Sequence, residues 1–110
     1  MGKAATYRKR GTSRAGQGQS ILPPAPLAVV DGEYIAFQAT GLDDTGGLAK
    51  AYTSATPTGP WDIQASAPWG PFLDLLAIAD VRPCYAYTNE TGNGSTYVGE
   101  SAPSNILHLP

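Results

Sequence analysis

The chain has 110 residues, of which 13 are glycine, 10 are proline and 15% are charged. This length supports one domain, and this composition favours short strands joined by turns over a helical bundle. The net charge of −2 hides a division: five basic residues and no acid precede residue 15, whereas nine acidic and two basic residues follow, which indicates that the basic segment contacts something besides its own domain.

Residues 1–24 are predicted to form a flexible, basic N-terminal arm that ends in a Pro-rich spacer. The segment before Ser20 is polar and rich in glycine, so it buries too little apolar surface to offset the entropy of ordering it. Extended over 24 residues, the arm reaches roughly 80 Å, several times the ~13 Å radius of gyration of a domain this size. Its candidate partner-binding residues are the cations and the apolar anchors: Tyr7, Arg8, Lys9, Arg10, Arg14, Ile21 and Leu22.

The arm also bears on where the protein is made. Positive charge at its start is followed by polar, glycine-rich sequence rather than by an apolar run. We therefore predict neither a secretory signal nor a membrane span, and we expect synthesis in a host cytoplasm.

Residues 25–110 are predicted to form one antiparallel β-sandwich of about seven strands. Short segments with alternating or apolar character are separated by turn residues throughout this region, as in all-β sandwiches. In the second segment, Ile35, Phe37 and Ala39 are expected to share one face. The predicted strands are residues 27–30, 33–40, 48–54, 61–65, 72–81, 84–88, 96–98 and 104–109.

One of these segments has two interpretations. Residues 72–81 contain a dense run of leucine, alanine and isoleucine, and periodicity cannot separate a short helix from a buried strand over so few residues. The spacing of the neighbouring segments favours a strand.

Three motifs resemble the fibronectin type III and related immunoglobulin-like domains. Residues 48–66, which end in Gly59-Pro60-Trp61-Asp62-Ile63, resemble the middle hairpin of that family. Residues 85–92 resemble its penultimate strand, and residues 101–107 resemble the Ser-x-Pro-Ser-Asn entry to its last strand. Phe37 stands where the family's second strand usually has a core tryptophan. The resemblance implies an immunoglobulin/fibronectin-III-like sandwich over about residues 25–110.

Few residues suggest catalysis. His108 is the only histidine and lies two residues from the end of the sequence, where we interpret it as an exposed polar residue of an edge strand. Cys84 is the only cysteine and is expected to pack as a small apolar residue. With no nucleophile–base pair and no zinc ligand set in view, we predict no catalytic residues, no cofactor and no metal site, and therefore no enzyme.

Two acidic segments are interpreted as exposed turns. Asp43 and Asp44 offer oxygen ligands for calcium, but the twelve-residue spacing of a dedicated calcium loop is absent, which favours a solvated turn. The Asn89-Glu90-Thr91 triplet matches a glycosylation sequon and is likewise interpreted as an exposed turn.

The loop Trp69-Gly70-Pro71-Phe72 is a second candidate partner-binding surface. If Trp69 and Phe72 are exposed, they form a compact apolar patch of the kind used at interfaces. The alternative, which we favour at this point, is that both side chains cap the end of the core.

These features lead us to expect a virion structural protein, specifically a decoration or cement protein on the capsid of a tailed bacteriophage. The arm would latch onto the major capsid protein and neighbouring copies in a symmetric homo-oligomeric assembly, by analogy with small sandwich domains on phage particles. An alternative is a phage or bacterial surface module that binds carbohydrate or a receptor through Tyr97 and Trp69. A third is a nucleic-acid tether through residues 7–10, which the acidic domain disfavours because nucleic acid would repel it.

Overall fold

The computed structural model describes residues 21–41 and 43–110. Within them the chain is all-β, with seven strands and one short 3-10 helix. The elements are β1 (Leu27–Asp31), β2 (Tyr34–Gln38), β3 (Leu48–Ser54), β4 (Asp62–Pro68), β5 (Phe72–Ala77), η1 (Ile78–Asp80), β6 (Cys84–Thr91) and β7 (Leu107–Leu109). The predicted all-β class is confirmed for this part of the chain.

The strands form two antiparallel sheets. One has three strands in the order β1-β2-β5, and the other has four in the order β4-β3-β6-β7. The sheets contact each other, since β2 of the first packs against both β3 and β6 of the second. In addition, β1 contacts β6, and β5 contacts both β3 and β4, so the core is enclosed between the inner faces of the two sheets.

The first hairpin follows directly from its sequence. Asp31 pairs with Tyr34, so only Gly32 and Glu33 form the turn. Gly32 has φ +61°, a left-handed conformation that glycine adopts without steric cost. On β2, Ile35 and Phe37 are fully buried, which confirms that they face the core.

Phe37 is the largest fully buried side chain of the described residues. Opposite it, the inner faces of β3 and β6 carry small residues, because Ala49, Ala51 and Ala86 are all completely inaccessible. Small residues on one sheet allow a phenylalanine on the other to be accommodated at close-packed density.

A second part of the core surrounds Cys84. Its thiol is free and buried, and it clusters with Ile35, Ala86 and Leu109. Burial raises the pKa of this thiol, which favours the unreactive protonated form. The predicted role of Cys84 as a small apolar core residue agrees with this placement.

The segment before β7 closes the four-stranded sheet with serine side chains. The Glu90 N–H donates to Ser101 Oγ at 3.0 Å, and the Thr88 N–H donates to Ser104 Oγ at 2.8 Å. The carbonyls of Glu90 and Thr88 accept from the Ser101 and Ser104 N–H groups, both at 2.8 Å. The two serines thus satisfy the backbone hydrogen-bonding groups at the edge of β6 on either side of Pro103, which has no N–H to donate.

Asn105 then ties the two sheets together. Its Oδ1 accepts from the Ala28 N–H at 2.9 Å, and its Nδ2 donates to the Ala28 carbonyl at 3.0 Å. Ala28 is buried on β1, so the amide side chain satisfies both of its backbone polar groups at the edge of the three-stranded sheet.

The structure corrects several predicted boundaries. Residues 72–81 divide into strand β5 and the 3-10 helix η1, so neither single interpretation covers the whole segment. Residues 96–98 form no strand, and the closing strand begins at Leu107 rather than at residue 104. In both cases the backbone follows side-chain hydrogen bonds, from Asn93 and from Ser104, instead of a sheet ladder.

Candidate functional site

Three loops meet at one end of the two sheets, which we call the loop end (residues 43–47, 68–71 and 92–99). The Trp69 N–H donates to the Gly47 carbonyl at 2.9 Å, and Asn93 Nδ2 donates to the Thr45 carbonyl at 3.1 Å. Asn93 Oδ1 also accepts from the Ser95 N–H at 2.7 Å, which fixes its own loop. The three loops are therefore joined by hydrogen bonds rather than merely adjacent.

A pair of acidic residues is buried beneath these loops. Asp44 is 0% exposed and Glu90 is 2% exposed. Within residues 21–41 and 43–110, no hydrogen-bond donor reaches either carboxylate oxygen of Asp44 or Oε1 of Glu90. Ionised carboxylates are costly to bury without partners, so this pair requires a compensating proton.

The Glu90 side chain is the better candidate for that proton. Burial, followed by a hydrogen bond to Asp44 and the charge of Asp44, raises the pKa of Glu90 to about 7. A protonated Glu90 donates to the Asp44 carboxylate, the arrangement expected when two carboxyl groups share a site. The Trp69 indole N–H lowers this pKa from nearby without reaching full hydrogen-bond geometry, so we treat it as a polar neighbour of Glu90.

The predicted exposed turns are therefore wrong for Asp44 and for the triplet Asn89-Glu90-Thr91. Asp43 is exposed and accepts from the Thr45 N–H at 2.8 Å, as a solvated turn requires. Asp44 is buried instead, and Asn89 and Glu90 lie inside strand β6. The alternation of inward and outward side chains along a strand would have predicted the burial of Glu90. Cys84, Ala86 and Thr88 face inward at alternate positions before it, so Glu90 is the next inward residue.

Tyr97 covers the buried pair from the third loop. It is only 4% exposed, and burial, followed by the charges of Asp44 and Glu90, raises the pKa of its phenol. The carbohydrate-binding alternative placed Tyr97 on a binding surface, and this burial overturns that assignment. An aromatic ring stacks on a sugar only if one face is accessible.

The loop Trp69-Gly70-Pro71-Phe72 does not form a single patch. Trp69 is half-buried, and its indole nitrogen is enclosed at the loop end. Phe72 is 47% exposed at the start of β5. Each of the two sequence interpretations therefore applies to one residue: Trp69 caps the core, and Phe72 is available to a partner.

The described part of the predicted arm begins at Ile21 and Leu22, which we call the arm root. The Val98 N–H donates to the Ile21 carbonyl at 2.8 Å, and Leu22 lies against Gly99. Both arm-root side chains remain more than half exposed. Pro23 and Pro26 are buried, so the spacer lies on the domain. The other predicted contact residues of the arm, Tyr7, Arg8, Lys9, Arg10 and Arg14, lie outside the described residues.

The outer face of the four-stranded sheet carries a group of aromatic residues that the sequence did not single out. Tyr52 and Tyr87 are cross-strand neighbours, and their rings stack with centroids 4.8 Å apart. Trp61 meets Tyr87 edge-on, also at 4.8 Å. On the adjacent strand pair, Tyr85 stacks on His108 at 4.6 Å, so the only histidine is an exposed edge-strand residue, as predicted.

Glu100 anchors this aromatic face. Its Oε2 accepts from Lys50 Nζ at 3.0 Å and from the Tyr52 hydroxyl at 2.8 Å. These two hydrogen bonds lower the pKa of Glu100. Burial, followed by the hydrogen bond to Glu100, raises the pKa of Tyr52 to about 12. Tyr52 is thus a hydrogen-bond donor that stays protonated at neutral pH.

Metal binding and membrane insertion are considered for residues 21–41 and 43–110. Among them, no three histidine, cysteine, aspartate or glutamate side chains are grouped so as to hold a metal ion. In the same residues, no helix is long and apolar enough to cross a membrane.

Comparison with known proteins leaves the family open. No protein-family model matches the chain, and no curated protein matches it either. The features that bear on function are therefore the loop end, the arm root and the outer faces of the two sheets.

Proposed function

We propose that this chain is a non-catalytic virion structural protein, an immunoglobulin/fibronectin-III-like module that decorates the capsid of a tailed bacteriophage and latches onto it through its basic arm. The observation that carries the proposal is the position of the charges. Five of the seven basic residues precede residue 15, and every acidic residue follows residue 30. The two segments meet at the arm root, which is fixed to the loop end.

The arrangement of the strands supports the fold part of this proposal. Sheets β1-β2-β5 and β4-β3-β6-β7 correspond to strands A-B-E and C′-C-F-G of an immunoglobulin-type sandwich. The buried Phe37 at the expected core position of β2 and the Ser101–Asn105 entry to β7 agree with the same family. Folds of this class serve many functions, so the function rests on the arm and not on the fold.

The proposed mechanism is electrostatic latching reinforced by repetition. An exposed ion pair contributes about 0–1 kcal/mol and weakens with salt, so a single arm is a weak ligand. The exposed side chains of Ile21 and Leu22 add apolar contact beside the arm's charges. On a symmetric capsid many copies engage neighbouring surfaces, and avidity multiplies these weak contacts. The sandwich acts as a rigid body that holds each arm at a fixed origin.

Deleting residues 1–20 tests the latch. The truncated chain keeps all seven strands of the described residues and the Ile21–Val98 hydrogen bond. We therefore expect the truncated chain to fold, as judged by circular dichroism, and to lose co-sedimentation with capsids assembled without the chain. A full-length variant with glutamine at positions 8, 9, 10 and 14 is the matched control for charge, and it should bind weakly at every salt concentration. A truncated chain that still decorates capsids to saturation would refute the latch.

A second candidate function, carbohydrate or receptor binding, is favoured by the aromatic face of the four-stranded sheet. Trp61, Tyr52 and Tyr87 are all partly accessible there, whereas Tyr97 is not. Trp61 is the most suitable contact, because the Tyr52 and Tyr87 rings already stack on each other. Glycan-array binding that disappears in Trp61→Ala and persists after deletion of residues 1–20 would support this function over the latch.

A further inference from the structure

The outer face of the three-stranded sheet is apolar and acidic at once. Strand register places Leu27 and Phe72 on either side of Gln38 at one end of this face, and Asp31 beside Tyr34 at the other. Leu27, Tyr34 and Phe72 are 44%, 46% and 47% exposed. No other described residue range forms a layer over this face, so three large apolar side chains are left in contact with solvent.

Two carboxylates lie together on the same face. Asp74 on β5 pairs with Ala36, and Asp31 on β1 pairs with Tyr34, two residues before Ala36 on the strand between them. A hydrogen bond to Asp31 is the main reason that the pKa of Asp74 is raised. Two adjacent exposed carboxylates repel each other, and a cationic side chain placed between them relieves that repulsion.

The chain contains a segment with complementary chemistry. Residues 7–10 combine one aromatic ring with three cations, as Tyr-Arg-Lys-Arg. We propose that the outer face of the three-stranded sheet binds residues 7–10 of a second copy of this chain, so that copies associate head to tail. This inference rests on the proposed latch and specifies one of its partners.

The positions of the arm root and the acidic face favour a second copy over the chain's own arm. The arm leaves beside Val98, in the loop that joins β6 to β7 of the four-stranded sheet. The acidic face is the outer surface of the opposite sheet, and Asp31 lies at the turn end of β1, away from the loop end. About 11 to 14 extended residues separate the arm root from residues 7–10, a reach of roughly 40 Å. That length bridges two adjacent domains directly, whereas a chain's own arm has to reverse its direction at the arm root to run back toward Asp31.

A head-to-tail contact uses different surfaces on the two copies. Such heterologous interfaces form rings when the rotation closes and filaments when it does not. Its ion pairs are exposed and screened by salt, so association in free solution is weak and depends on low ionic strength. A capsid surface that holds copies side by side raises their effective concentration.

Sedimentation equilibrium of the full chain at low salt tests the proposal. The wild-type chain should associate with increasing concentration. Two variants should each remain monomeric: a face variant, Asp31→Asn with Asp74→Asn, and an arm variant, Arg8→Gln, Lys9→Gln and Arg10→Gln. Loss of the two facing pairs corresponds to about a tenfold weaker association. A control with Asp62→Asn and Asp80→Asn removes the same charge from exposed positions elsewhere and should associate like wild type.

Mixing the two variants gives the decisive measurement. The mixture offers one intact arm and one intact face, so it should form dimers that grow no further. A wild-type chain that stays monomeric at low salt, or a mixture that stays monomeric, would overturn the proposal. Equal weakening by the Asp62/Asp80 control would also overturn it, because net charge would then explain the result.

Failure of this inference is distinguishable from failure of the latch. The face variant retains its arm, so it should still co-sediment with capsids if the arm binds the capsid protein. Normal capsid binding by a face variant with no self-association in wild type would refute the head-to-tail contact and leave the latch in place.

Discussion

Replacing Glu90 by glutamine should remove a specific part of the pH dependence of stability. The fold raises the pKa of Glu90 from 4.5 to about 7, and one pKa unit corresponds to about 1.4 kcal/mol. The folded state therefore holds a proton that the unfolded state releases between these two values. Stabilisation by that proton is complete below pH 4.5 and is lost as the pH rises through 7. The rise in the pKa of Glu90 from 4.5 to about 7 therefore corresponds to about 3 kcal/mol of unfolding free energy.

Urea denaturation of wild type and Glu90→Gln from pH 4.5 to 8 measures this loss. Glutamine keeps the shape and the hydrogen-bond donor of the protonated acid, so the two proteins should have similar stability at pH 4.5. At pH 8 the variant should be more stable by about 3 kcal/mol. Glu100→Gln is the control, because hydrogen bonds lower the pKa of Glu100 and its contribution is lost only as the pH falls through that lowered pKa. A stability difference between wild type and Glu90→Gln that is constant from pH 4.5 to 8 would refute the shared proton.

Fluorescence provides an independent readout of the same proton. The Trp69 indole lies beside Glu90, and Tyr97, Asp43 and Asp44 are the other ionisable groups that face this site. In a Trp61→Phe background, Trp69 is the only tryptophan. Its emission should titrate with a midpoint near 7, and this transition should be absent when Glu90 is also replaced by glutamine.

Three further substitutions test the fold that positions the loop end. Asn105→Ala removes both hydrogen bonds to Ala28 and should lower the unfolding free energy by about 2 kcal/mol, measured by urea denaturation. In Gly47→Ala the added Cβ would lie 2.5 Å from the Thr91 carbonyl oxygen, and this crowding should cost about 1–3 kcal/mol of unfolding free energy. A melting temperature equal to that of wild type would contradict it. Phe37→Ala should cost about 3–5 kcal/mol by opening a core cavity, and a smaller loss in calorimetry would mean that the sheets close over the space.

The sequence predicts the strands well where alternation and turn chemistry act together. Strand β3 matches its predicted bounds, and the Gly32 turn lies where the Asp-Gly pair indicates it. The predictions are wrong where side-chain hydrogen bonds replace the backbone hydrogen bonds between strands, as at residues 96–98. A serine or asparagine that bonds to the backbone produces no periodic pattern in the sequence. Such bonds depend on which segments meet in space, and local sequence does not encode that.

Burial of the acids is the feature least accessible from sequence. Asp44 follows Asp43 in a glycine-rich loop, and polar residues in such loops are mostly exposed. Its burial depends on Trp69 and Tyr97, which reach it from loops 25 and 53 positions away in the chain. Only the alternation of side chains along the strand, followed from Cys84 to Glu90, would have predicted that one acid of the pair is buried.

The net charge of the domain overstates its ability to attract a basic partner. Glu100 is neutralised by Lys50 at 3.0 Å, and Asp44 and Glu90 are enclosed at the loop end, where no external cation reaches them. Asp31 and Asp74 differ from these acids because they are exposed, lie next to each other and have no opposing charge within salt-bridge distance among the described residues. Since attraction between exposed charges decays within about 10 Å at 0.1 M salt, the proposed contact with a cationic arm depends on the position of these two carboxylates rather than on the total charge.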